Sequence, residues 1–69
     1  MSKSKYEIVR DALVRHQKEM SSLEMAISIG CCKKTAKKHL NALYRNGLAE
    51  RIDGKAAMFL SRERLLFEV

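Results

Sequence analysis

Only two residues, Cys31 and Cys32, separate Gly30 from a second helical stripe, and that spacing restricts the chain more than any other feature. Upstream of it, Ser21 and Ser22 precede Leu23-Glu24-Met25-Ala26-Ile27-Ser28-Ile29, about two turns of helix. A serine there caps a free N–H, and Glu24 in the first turn is favoured by the helix dipole. Leu23, Ala26 and either Ile27 or Ile29 are expected to face inward. Gly30 ends the segment, because glycine accepts the left-handed conformation of a helix C-cap. The next segment, Lys33 to Asn46, sets Ala36, Leu40, Leu43 and Tyr44 at i, i+4, i+7 and i+8 and stops at Gly47. Two helices joined this closely form a tight corner.

What flanks the corner completes a small fold. Ile8, Val9, Ala12, Leu13 and His16 recur as one stripe with Glu7, Arg10, Asp11 and Arg15 opposite, which predicts a first helix from about Lys5 to Lys18. His16 is read as a boundary residue of that stripe. Beyond Gly47, Leu48-Ala49-Glu50-Arg51-Ile52 leads into Asp53-Gly54, a hairpin-turn signal, and Ala56-Ala57-Met58-Phe59-Leu60 supplies the return strand. Leu48 and Ile52, with Met58 or Leu60, are expected to close over helices 1 and 3. Ser61 is placed to cap a last short helix, Arg62 to about Val69, whose Leu65, Leu66, Phe67 and Val69 are too apolar for a solvated tail. The expected fold class is mainly α with a small β-hairpin. At 69 residues there is room for one core, so residues 1–69 are read as a single domain.

Charge singles out one element of this layout. The formal net charge is +6, yet residues 31–48 hold five Lys/Arg and no acid, whereas the segments on either side are nearly balanced. On the second helix of the corner, Lys34, Lys37, Lys38, Asn41 and Arg45 are left facing solvent. Like charges one turn apart repel by a few tenths of a kcal/mol per pair, and lysine at a helix N-terminus opposes the dipole. A run that is locally unfavourable and unrelieved by acid points to a phosphate-bearing partner.

Other classes lose ground on the same sequence. Adjacent cysteines make a strained and rare disulfide, so none is expected. Two thiols with His16 and His39, lacking any C-x-x-C spacing, do not make a zinc site. No apolar run approaches the roughly 20 residues of a membrane helix and no signal-peptide pattern opens the chain, so a cytoplasmic location is expected. None of the phosphate-loop, nucleophile-elbow or zinc-protease motifs occurs, so an enzyme, a cofactor and a small-molecule ligand are not expected.

Taken together, residues 21–60 resemble a winged helix-turn-helix domain of the bacterial transcription-regulator type. The resemblance is carried by Leu23-Glu24-Met25-Ala26, Ile29-Gly30, Thr35-Ala36-Lys37-Lys38-His39-Leu40 with Leu43, Asn46-Gly47-Leu48, and Asp53-Gly54-Lys55 as wing tip. It implies a three-helix core, a helix-turn-helix over about 22–46 and a two-stranded wing over about 48–60, followed by the short C-terminal helix. It also implies DNA binding through the recognition helix. Where the family usually caps that helix with Ser, Thr or Asp, this chain has Cys32, and Thr35 is expected to compensate. The expected DNA-binding residues are Ser22, Lys33, Lys34, Thr35, Lys37, Lys38, Asn41, Arg45, Arg51 and Lys55. The cations suit phosphates or guanine edges, and Asn41, with donor and acceptor side by side, suits adenine. The expected function is sequence-specific binding of double-stranded DNA by a regulator of a bacterial, plasmid or phage operon, with a possible homodimer through residues 62–69. The alternative is a winged-helix protein-interaction module whose basic face meets an acidic protein.

Overall fold

The computed structural model describes residues 4–63. Along the chain it runs α1 (Lys5–His16), β1 (Met20–Ser21), α2 (Ser22–Ile29), α3 (Lys33–Arg45), β2 (Ala49–Ile52) and β3 (Met58–Ser61). The strands form one antiparallel sheet in the order β1-β3-β2. The mainly α fold with a hairpin wing is present. Of the expected C-terminal helix, Arg62 and Glu63 are described and are not helical, and residues 64–69 lie outside the described residues.

Local chemistry sets most of the element ends. Ser4 opens α1 with a capping box, its hydroxyl accepting from the Glu7 N–H while the Glu7 carboxylate accepts from the Ser4 N–H. α1 stops at His16 and not near Lys18, because Gln17 takes the left-handed conformation (φ 51°). Its side-chain amide donates to the carbonyls of Val14 and Glu63, and these two bonds hold a conformation that glycine normally supplies. Gly30 (φ 73°) caps α2 as expected. After α3, Gly47 (φ 77°) lets the Leu48 N–H reach back to the Leu43 carbonyl at 2.9 Å, which ends the helix where the sequence placed it.

The core lies where the three helices meet the inner face of the sheet. Val9 and Leu13 of α1, Met25 of α2, Leu40 and Leu43 of α3 and Phe59 of β3 are its largest fully buried side chains. Ala36 beneath Leu40 is fully buried as well, so the expected stripe of α3 holds for Ala36, Leu40 and Leu43. Tyr44 does not belong to it and is about half exposed.

Three inward assignments change. On α2 the buried side is Ser22, Met25 and Ala26 with Ile29 partly covered, whereas Leu23 and Ile27 face solvent. His16 is exposed, with Nε2 3.2 Å from the Ser28 hydroxyl, and does not extend the apolar stripe. In the wing the phase shifts by one residue. Ala49 and Phe59 are buried, while Ile52 is exposed and Leu48, Met58 and Leu60 are only partly covered. The register explains the shift: Phe59 stands opposite both Met20 and Arg51, so β1, a strand the sequence reading did not foresee, fixes which face of β3 turns inward.

Candidate nucleic-acid interface

The basic helix is held from behind and bare in front. Ala36, Leu40 and Leu43 anchor α3 to the core, and this phase turns Lys33, Lys34, Lys37, Lys38 and Arg45 outward, all exposed. Among the described residues no carboxylate pairs with any of the five. At its far end α3 is braced to α1: the Asn46 side-chain amide donates to the Tyr6 hydroxyl at 2.8 Å, and the Tyr6 ring meets His39 edge-on at 6.2 Å between centroids. Burial lowers the pKa of His39, and the nearby Lys38 and Lys5 lower it further, so this imidazole adds no charge to the face at neutral pH.

The start of α3 is less well tied. Cys32 occupies the N-cap in an extended conformation and makes no side-chain bond to the backbone of the first turn. Its Sγ lies 3.0 Å from the Thr35 hydroxyl. Thr35 therefore partners the thiol without supplying the missing cap. The Thr35 hydroxyl holds the Cys32 thiol below its ordinary pKa.

Two strips of α3 serve different surroundings. Lys33 and Lys37, one turn apart, line an open cleft of about 400 Å³ together with Ser21, which caps α2, Ser22 and Leu23 of α2, and Lys55, Ala56 and Ala57 of the wing loop. The fold thus gathers Ser22, Lys33, Lys37 and Lys55 from three elements distant in sequence. Ser22 is only 9% exposed, so it forms part of the wall and presents little hydroxyl surface. Lys34, Lys38, Asn41 and Arg45, at i, i+4, i+7 and i+11, share the outermost strip of the helix, with Asn41 partly covered by its neighbours. Thr35 is half-buried and turned to Cys32, and Arg51 sits on β2 beside Asp53 at 3.1 Å.

Sequence reasoning missed Leu23, which is 53% exposed on the cleft, and the two alanines that line it with Leu23. A signal was present. Glu24 as the third helical residue pairs with Ser21 as cap, and the stripe that follows from helix geometry, Ser22-Met25-Ala26-Ile29, leaves Leu23 outside.

No family model matches this chain, and no curated protein matches it in sequence. Among solved structures, the Zalpha domain of PKZ from Carassius auratus, determined in complex with Z-DNA, is similar at a TM-score of 0.70, with 84% of this chain and 98% of that chain covered. The two are 21% identical. The chain has the winged-helix fold, with α3 as the second helix of the corner and the β2–β3 hairpin as its wing. No described helix is long and apolar enough to cross a membrane.

Proposed function

We propose that this chain binds double-stranded DNA sequence-specifically through α3 and the wing, as a regulator of a bacterial, plasmid or phage operon in the cytoplasm, and that residues 1–69 act as one winged helix-turn-helix unit. The observation that carries the reading is the front of α3: five exposed cations with no described acid to pair with, on a helix rigidly backed by the core. A fold that keeps such charges together sacrifices some stability, and a polyanion that neutralises them returns it. In this reading Lys33, Lys37 and Lys55 hold backbone phosphate beside the cleft. Lys34, Lys38 and Arg45 meet phosphates or guanine edges, and Asn41 reads adenine. The likeness to a winged-helix domain determined on DNA supports a nucleic-acid partner.

A selection from a random duplex library tests the function and returns the site. A recurring sequence is expected, and the slope of log K against log salt should be roughly −4 to −5 for about five neutralised phosphates. A slope near zero counts against α3 as the contact surface. The apolar residues of segment 62–69 are proposed to join two copies, placing the two recognition helices about one DNA turn apart. Sedimentation of the full chain at micromolar concentration should then give the mass of a dimer and the selected site should be palindromic, whereas a monomer on a single half-site removes this part of the reading.

A further inference from the structure

α2 exposes two large apolar side chains one turn apart, and they open onto different surfaces. Ile27 borders a cleft with His16, Lys18 and Met20. Leu23 instead lines the cleft that Lys33, Lys37 and Lys55 also line, where Ala56 and Ala57 of the wing loop add further apolar surface and no carboxylate contributes. A leucine left half exposed among three ammonium groups keeps apolar surface in water at a cost in free energy, so its placement suits a ligand that carries an apolar group beside anionic ones.

Resting on the duplex-DNA reading above, we infer that Leu23, with Ala56 and Ala57, recognises the C5-methyl group of thymine, so that the cleft favours thymine-bearing DNA over duplexes that carry uracil. Charge complementarity selects the occupant, since the cleft lysines hold the phosphates on either side of the apolar contact. Groove geometry agrees with this choice. In that reading Lys33 and Lys37 belong to the helix that enters the major groove, and the thymine methyl is the apolar feature that the major groove displays. Ile27 borders none of this surface and is a natural control.

The experiment compares two probes that differ in nothing but the methyl groups: a fluorescein-labelled 20-base-pair duplex of alternating adenine and thymine, and the same duplex with uracil throughout in place of thymine. Anisotropy titration of the full chain should give weaker binding to the uracil duplex, by about fourfold for each methyl that Leu23 covers. Leu23→Ala should bind both duplexes alike, and Ile27→Ala should keep the preference. Equal affinities in the wild-type chain overturn the inference and leave the proposed function standing, as does a preference that persists in Leu23→Ala. Failure to bind either duplex, with an acidic peptide bound in their place, overturns both.

Discussion

The two helices of the corner begin in opposite ways. At α2, the Ser21 hydroxyl accepts from the Glu24 N–H at 3.1 Å and the Glu24 carboxylate accepts from the Ser21 N–H at 3.0 Å, so the first turn is satisfied by its own sequence. At α3, Cys32 offers no acceptor to the backbone, and the first turn carries Lys33 and Lys34 without an acid. One start is built from local chemistry and the other runs against it. α3 nevertheless spans 13 residues to the 8 of α2, so what holds it is its buried side and not its beginning. The charges that weaken its start are the ones the proposed ligand would neutralise.

The sharpest way to break this comparison is to attack the buried side of α3. Leu40→Ala removes a fully buried side chain from the middle of the helix and should cost about 2–5 kcal/mol, read from the urea midpoint. Ile27→Ala on α2, at an exposed position, should stay within about 0.5 kcal/mol. A small loss at Leu40 would mean that α3 stands on its own propensity and that tertiary packing is not its support.

The helix starts themselves give the next largest effect, with opposite signs at the two ends of the corner. Ser21→Ala should destabilise by about 1 kcal/mol, because it removes the acceptor of the Glu24 N–H. Cys32→Ser should stabilise by about 0.5–1 kcal/mol, since a hydroxyl at that extended N-cap can accept the bond that sulfur does not. Urea unfolding of the two variants beside wild type checks both. If neither midpoint moves, the difference between the two starts is geometric only.

The same contrast explains what could be read from the sequence. α3 was legible because its cations and apolar residues alternate with helical period, which fixes its phase to within Tyr44. α2 was legible as an element but not in orientation. Its run of Leu23, Met25, Ala26, Ile27 and Ile29 is apolar nearly all round, and only the Ser21–Glu24 pair discriminates between phases. The wing failed for a related reason: Ala56-Ala57-Met58-Phe59-Leu60 does not alternate, and its register comes from pairing with Met20, 39 residues away in sequence. Two-residue β1 carries no pattern of its own. At the interface, the cations of α3 could be named from sequence, but the cleft could not, because it exists only once the start of α2 and the wing loop are folded beside Lys33 and Lys37.

The smallest effect concerns pH at the uncapped start. The Thr35 hydroxyl holds the Cys32 thiol below its ordinary value, so the folded chain favours the thiolate more than the unfolded chain does. A depressed folded value contributes stability that is present above the unfolded pKa, about 8.5, and is lost as pH falls through the folded one. The thiolate accepts hydrogen bonds better than the thiol and places a negative charge where the helix dipole favours it, so raising the pH supplies part of the cap that α3 lacks. The urea midpoint of wild type minus that of Cys32→Ala, under reducing conditions, should therefore rise between pH 7 and pH 9.5. Cys31 is present in both chains and cancels. The rise should be small, because Cys32 is exposed and water screens its charge, and it should shrink further in high salt. A difference that falls over this range would show that the thiolate gains nothing from Thr35 or from the start of α3.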